Sequence, residues 1–186
     1  MSDFEYASVV VSIVLALGIA DILRFLGDTV REPGACRVYW VHFLWILVLL
    51  SLHIEFWWRM WNFRHVLYIG PMLAFLLLGP ALLFVATRTL LPSHDEDRAG
   101  EELFYQRKTS FFTLMVVLSL WSLAFSPWSV SAVSAESLIQ VLSMSAFVII
   151  LFAVCIFSSN KKLHQLVISF VVLMELLEML SWSLSL

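Results

Sequence analysis

The sequence predicts an all-α fold, a polytopic membrane bundle of six transmembrane helices forming a single domain over residues 1–186. The first observation behind this is composition. The chain is 61% hydrophobic and 13% charged, whereas soluble domains are nearer ~45–50% apolar and ~25% charged. The second observation is that polar breaks divide the apolar residues into stretches of about 20, the length at which a helix crosses the ~30 Å hydrocarbon core of a bilayer.

Six stretches have the required length. The predicted helices are Phe4–Leu26, Val38–Trp61, Val66–Leu90, Phe111–Trp128, Ser137–Phe157 and Leu163–Ser185. Pro33 and Pro92 lie in the breaks, where a proline cannot continue the helical hydrogen-bond ladder. Within the third helix, Pro80 predicts a kink and Gly79 permits close approach of a neighbouring helix.

The longest polar segment, residues 91–108, is predicted to be a cytoplasmic acidic loop. Ser93 and Glu96 have capping-box spacing, so a short surface helix is expected to begin there. The segment lacks the alternating oxygen ligands and central glycine of a calcium-binding EF-hand loop. A solvated acidic face is therefore the favoured interpretation, and this face is a candidate docking surface for a cytoplasmic protein.

The distribution of Lys and Arg predicts the orientation, because cytoplasmic loops are enriched in these residues. Nine lie in the segments that follow helices 1, 3 and 5, and two lie on the opposite side. The nine are Arg24, Arg31, Arg37, Arg88, Arg98, Arg107, Lys108, Lys161 and Lys162. We therefore expect both termini outside a bacterial inner membrane. Trp57 and Trp58 are expected in the outer aromatic belt.

Several classes of function are excluded by what the sequence lacks. A net charge of −3 without a basic stripe gives no reason to expect nucleic-acid binding. Cys36 and Cys155 form no CxxC motif, and no hydrolase, P-loop or Rossmann pattern occurs. His42 and His53 share a helix face, but a haem needs axial ligands from facing helices, and no other histidine lies at their depth. Neither an enzyme nor a cofactor or metal site is expected.

The stretch "VVLMELLEMLSW", residues 171–182, places two acids inside the sixth predicted helix. Glu175 and Glu178 are one turn apart, on a polar line that runs from His164 to Ser185. Charged groups at bilayer depth cost at least ~2.5–3.5 kcal/mol each, so such a line should face protein or water rather than lipid. Two ionised carboxylates this close repel each other, so at least one is expected to hold a proton.

Helix 2 offers partners at similar depth. Glu55 and Arg59 are spaced i,i+4 and can form a local ion pair, and His53 lies on roughly the opposite side of the helix from Glu55. We therefore predict an ion pathway formed by Glu175, Glu178, His53, Glu55 and Arg59. The alternative is that these groups only hold helices together.

Asp21 and His42 are predicted to form a secondary polar pair nearer the cytoplasm. Asp21 also has Arg24 three residues away, so a local ion pair on helix 1 is the alternative.

Four short features carry a resemblance: Phe4-Glu5-Tyr6 at the start, Gly18 in "LALGIAD", the Trp57-Trp58 pair, and Leu91-Pro92 before the acidic loop. With them, the whole chain resembles a broad group of uncharacterised bacterial six-helix inner-membrane proteins. The resemblance implies a six-helix architecture and an inner-membrane location. It implies no activity and no site residues.

The leading functional expectation is a small homo-oligomeric channel or carrier for protons or another cation, embedded in the lipid bilayer. The alternative is a non-transporting membrane sensor, scaffold or partner subunit. The most useful discriminating observation is where the Glu175 side chain points: to a water-filled path, to a subunit interface, or into a dry bundle.

Overall fold

The computed structural model of this chain describes residues 3–31, 39–63, 70–92, 100–129 and 135–184. These residues form six α-helices and a short 3-10 helix, Met60–Phe63, and contain no strand. The helices are α1 (Asp3–Arg31), α2 (Trp40–Arg59), α3 (Gly70–Leu90), α4 (Gly100–Ser129), α5 (Ala135–Phe157) and α6 (Lys161–Leu184). Cys36 and the predicted capping box of Ser93 and Glu96 lie outside the described residues.

Five helices are long and apolar enough to span a membrane. They contain the segments Asp3–Arg31, Trp40–Arg59, Met72–Leu90, Ile139–Phe157 and Lys161–Leu180. The all-helical prediction is thus confirmed for the described residues, and these helices are compatible with a multi-pass membrane location.

The largest difference from the predicted boundaries is the start of α4, which begins at Gly100 instead of Phe111. Residues 100–108, expected within the acidic loop, form the first turns of this helix. A hydropathy pattern could not detect these turns, because they contain Glu101, Glu102, Arg107 and Lys108. Glu101, Arg107 and Lys108 contact the ends of neighbouring helices, and Leu103 and Phe104 between them are buried, so packing against other helices stabilises these turns.

Two adjacent residues of α4 cap the C-terminal ends of two other helices. The Arg107 guanidinium donates a hydrogen bond to the Leu91 carbonyl at 2.6 Å, just beyond α3. The Lys108 ammonium donates to the carbonyls of Ile156 at 3.0 Å and Ser158 at 2.8 Å, at the end of α5. Cations are favourable here because a helix C-terminus carries unpaired carbonyls and a partial negative charge. We call this end of the bundle the basic end.

The interior of the basic end is filled by an aromatic cluster. Its rings belong to Trp45, Phe104, Phe111, Phe112, Phe152 and His164. Trp45 is fully buried and meets the rings of Phe111 and Phe112 edge-on, each at 5.3 Å between centroids. Burial also raises the pKa of the bordering Tyr105 phenol, so this hydroxyl stays neutral at physiological pH. The cluster fills the interior of the basic end with buried rings in edge-to-face contact.

The α3 helix meets α2 and α4 at Gly79. A Cβ atom at this position would lie 2.4 Å from the Trp121 ring and 2.8 Å from that of Phe56. These two rings stack at 5.7 Å between centroids, and the Trp121 indole N–H donates to the Phe75 carbonyl at 2.9 Å. The close approach predicted for Gly79 is thus confirmed, and its missing side chain is what admits the two rings.

The helices do not pack equally. The α1 helix contacts α2 and α3, α4 contacts α3 and α5, and α6 packs mainly on α2. By contrast, α5 and α6 contact each other little, although they follow one another in sequence. This arrangement leaves space between α2, α4, α5 and α6, next to the acids of α6.

Candidate functional site

The α2 and α6 helices carry acidic residues on the faces that they turn toward each other. On α2, Ser51, Glu55 and Arg59 are spaced i, i+4 and i+8, so they follow one side of the helix over about 12 Å. On α6, Glu175 and Glu178 are separated by one turn. We call these five residues the carboxyl cluster.

Direct contacts join the members of the carboxyl cluster across the two helices. The Ser51 hydroxyl donates to Glu175 Oε2 at 3.1 Å, and the side chain of Glu55 lies within hydrogen-bonding reach of that of Glu175. Arg59 Nη2 lies 2.7 Å from Glu178 Oε1 and 3.3 Å from Glu55 Oε2. The two acids of α6 are therefore connected to α2 at two successive levels.

The charges of the carboxyl cluster do not balance. Two carboxyl groups, those of Glu55 and Glu178, flank the Arg59 guanidinium, and Glu175 supplies a third carboxyl, so full ionisation of the cluster would leave more negative than positive charge. The carboxyl groups of Glu55 and Glu175 are close enough to interact, so they repel each other when both are ionised. The arrangement therefore favours a bound proton or an additional cation.

Two cavities flank the carboxyl cluster. The larger has a volume of about 630 Å³ and is lined by residues of α2, α4, α5 and α6, including Glu175 and Glu178. The smaller, of about 340 Å³, is lined by Ser51 and Glu55 on the other side of the cluster. Arg59 borders both cavities. The side chains of Arg59 and Glu178 are 53% and 50% exposed, so this level of the cluster is open to the surroundings.

His53, which was predicted to join the ion pathway, lies elsewhere. It is fully buried, and its Nδ1–H donates to the Leu49 carbonyl at 2.7 Å. Its Nε2 lies against α1, where a Cβ atom added at Gly18 would be only 2.1 Å away. His53 and Glu55 are two positions apart on α2, so they point to opposite sides of the helix. Glu55 faces α6, and His53 faces α1. The structure therefore separates His53 from the carboxyl cluster.

Asp21 and His42 are also not brought together as a pair. His42 is 3% exposed and donates from Nε2 to the Leu90 carbonyl at 2.9 Å, at the end of α3. Asp21 instead pairs with Arg88 at 3.3 Å and with Arg24 at 3.5 Å. Both residues thus connect their helices to α3, the histidine through a carbonyl and the aspartate through an ion pair.

The polar line predicted along α6 divides into two environments. His164 is fully buried in the aromatic cluster, where its Nε2 donates to the Ser158 carbonyl at 3.0 Å. Glu175 and Glu178 belong to the carboxyl cluster. The side chain of Ser185 lies outside the described residues. His164 meets rings of α4, whereas Glu175 and Glu178 meet α2, and apolar Val167 and Ile168 are buried between the two regions.

Sequence reasoning missed Ser51 as a member of the cluster and Arg88 as a partner of Asp21. Ser51 has a usable signal, because it precedes Glu55 by four residues on the same face. The Asp21–Arg88 pair had no local signal, since its two residues lie on different helices.

The donor set does not favour a metal ion. The described residues contain no group of three or more His, Cys, Asp or Glu side chains placed to hold one. Arg59 stands between Glu55 and Glu178 and already supplies a positive charge to both.

Comparison with known proteins gives no match to this chain, either among family models, among curated proteins or among solved structures. Function is therefore inferred from the side chains of the carboxyl cluster and its cavities.

Proposed function

We propose that this chain is a small membrane channel or carrier for protons or another cation, with Glu175 as its central residue. The observation that carries the proposal is the contact between Glu175 and Glu55 in a cluster with three carboxyls and one guanidinium. Carboxyls in contact repel when both are ionised, so the pair gains stability by taking up a proton or a cation. Ionisable groups at bilayer depth typically belong to such pathways.

The proposed orientation places the basic end in the cytoplasm of a bacterial inner membrane and both termini outside. The positive-inside rule supports it, because Arg107 and Lys108 cap helix ends at the same end of the bundle. Three tryptophans support the outer interface. Trp57, Trp58 and Trp61 are 54%, 57% and 63% exposed, as side chains of an interfacial belt would be.

The proposal includes assembly into a homo-oligomer. Beside the half-exposed Glu178, the outer part of α6 exposes Leu173, Leu176, Leu177 and Leu180. An exposed carboxyl facing lipid is costly, whereas one facing a second subunit or water is not. In the proposed oligomer a neighbouring copy covers these leucines, while Glu178 keeps its pair with Arg59 and its opening to the outer water.

The aromatic cluster favours a second candidate function, a non-transporting sensor, scaffold or partner subunit. Trp45, Phe111 and Phe112 fill the interior of the basic end, which suits a static bundle. The carboxyl cluster would then serve only to hold α6 on α2. The acidic segment after α3 would dock a cytoplasmic protein.

Proton flux into liposomes after substitution of Glu175 tests the proposal. Glu175→Gln keeps the shape of the side chain but cannot titrate, so we expect it to abolish flux driven by a pH gradient. We expect its thermal stability to be unchanged or higher, because the amide makes permanently neutral a partly buried group that is costly to ionise. A matched control is Glu102→Gln, at an exposed position on α4 outside the cluster.

Glu178→Gln should reduce flux less than Glu175→Gln, because Glu178 is half-exposed and keeps direct contact with the outside. Wild-type protein that moves neither protons nor another cation under a pH gradient or a membrane potential would contradict the transport function. The scaffold function would then be favoured.

A further inference from the structure

The larger cavity beside the carboxyl cluster has the dimensions of a site for an organic molecule. Its volume is about 630 Å³, within the ~300–1,000 Å³ that small-molecule sites typically have. A proton or a bare inorganic ion needs no such space. The volume of the cavity therefore favours an organic molecule over a proton or a bare inorganic ion as its occupant.

The lining of this cavity is mostly apolar and includes several aromatic rings. The rings belong to Trp45, Phe147, Phe152 and Phe170. Phe147 of α5 and Phe170 of α6 meet edge to face at 5.6 Å between centroids, across the gap between these two helices. Such walls bind apolar bodies, and ring faces also attract cations.

The polar groups of the cavity are few and carry a net negative charge. Glu175 and Glu178 contribute two carboxyls and Arg59 one guanidinium, and the remaining polar lining consists of the hydroxyls of Ser119, Ser122 and Ser145. Across the cluster, Glu55 adds a third carboxyl in contact with Glu175. A ligand with one positive charge is thus favoured over a neutral or anionic one.

An inorganic cation fits this donor set poorly. Metal ions need several oxygen ligands at close range, and the part of the chain that the structure describes offers no such group. The guanidinium of Arg59, 2.7 Å from Glu178, also repels a second small, strongly hydrated cation at that carboxyl. An organic cation spreads its charge over an apolar body and does not require a shell of oxygens.

We propose that the cavity between α2, α4, α5 and α6 binds a lipophilic organic cation, with its charge at Glu175 and its apolar body against Phe147, Phe152 and Phe170. The inference rests on the proposed function and specifies its cargo class. It predicts competition between the organic cation and protons, because both require the ionised carboxyl. The titratable or charged groups that face Glu175 are Glu55 and Arg59 of α2, with Glu178 one turn away on α6.

Binding of tetraphenylphosphonium to the purified full chain tests the inference, with isothermal titration calorimetry in detergent as the readout. We expect saturable binding at pH 8 that weakens at pH 5.5. Glu175→Gln should weaken binding by about tenfold or more, since the ion would lose its counter-charge. Glu102→Gln, outside the cavity, should bind as the wild type does.

The aromatic wall is tested separately. Phe147→Leu keeps an apolar side chain but removes a ring, and we expect about threefold weaker binding or more, as cation–π contacts predict. Phe157→Leu is the matched control, because Phe157 is 88% exposed at the end of α5 and does not line the cavity.

Proton flux without saturable tetraphenylphosphonium binding would overturn this inference and leave the proposed proton pathway standing. Binding that is unaffected by Glu175→Gln would also overturn it. Absence of both binding and flux would overturn the inference together with the transport function.

Discussion

At the scale of single residues, the two sides of α2 meet different neighbours, Arg59 reaching Glu178 on α6 and His53 lying against Gly18 on α1. The two-residue spacing of His53 and Glu55 placed them on opposite sides of α2, and the structure agrees. That Glu55 meets Glu175 while His53 meets Gly18 depends on helix packing. Periodicity contains no information about packing partners, so it could not predict that Glu55, Arg59, Glu175 and Glu178 would lie together while His53 lies apart from them.

The contact between Gly18 and His53 leads to a stability prediction. Gly18→Ala places a methyl group 2.1 Å from His53 Nε2, so α1 and α2 must move apart. Overpacking of this kind costs about 1–3 kcal/mol, and we expect a lower melting temperature in detergent. Gly27→Ala on the same helix is the control, since its Cβ would meet nothing within 4 Å. It should be neutral or stabilising, because alanine favours the helix.

The double variant Gly18→Ala with His53→Ala distinguishes the steric explanation from a general loss of helix packing. Removing the imidazole makes room for the new methyl group, so adding Gly18→Ala to His53→Ala should cost little further stability. If Gly18→Ala lowers the stability equally in the wild-type and the His53→Ala backgrounds, the clash with the imidazole is not the cause.

At the scale of elements, hydropathy located the apolar parts of the helices well and their polar extensions poorly. The end of α3 at Leu90 and the end of α5 at Phe157 were predicted to the residue. The start of α4 was missed because its first turns are charged and are stabilised by contacts with other helices. A charged helical turn of this kind has the composition of a loop.

The cap that Lys108 provides for α5 gives a prediction at this scale. Lys108→Met keeps most of the apolar stem but leaves the Ile156 and Ser158 carbonyls without this donor. We expect a loss of about 1–3 kcal/mol in the free energy of unfolding and faster hydrogen exchange in the last turn of α5. Lys162→Met, at an exposed position, should change neither the free energy of unfolding nor the hydrogen exchange of α5. Unchanged exchange in Lys108→Met would exclude a capping role.

At the scale of the whole molecule, composition and span length were sufficient for the all-helical class, but the arrangement of the helices was not predictable from them. Interhelical packing in a lipid environment depends on small residues and shape rather than on hydropathy. Matching charges at similar depth predicted that α6 lies near α2, but nothing in the hydropathy pattern indicated that α5 would pack on α4 and make few contacts with α6. The cavity beside Glu175 is a consequence of that arrangement, so it could not be predicted either.

The orientation of the whole molecule is the remaining prediction, and it follows from the basic end. We expect residues 93–102 in the cytoplasm and residue 186 outside. In a background with Cys36 and Cys155 replaced by serine, Asp3→Cys should react with a membrane-impermeant maleimide in spheroplasts. Asp95→Cys should react only after permeabilisation.

Two further positions control for exposure, because an unreactive cysteine can be buried rather than cytoplasmic. Trp61→Cys lies at the end of the bundle opposite the basic end and should react from outside. Lys162→Cys lies at the basic end and should not. If Asp95→Cys and Lys162→Cys react in intact spheroplasts while Asp3→Cys does not, the orientation is inverted. Arg59 and Glu178 would then open toward the cytoplasm, and a carrier would bind its cation from that side.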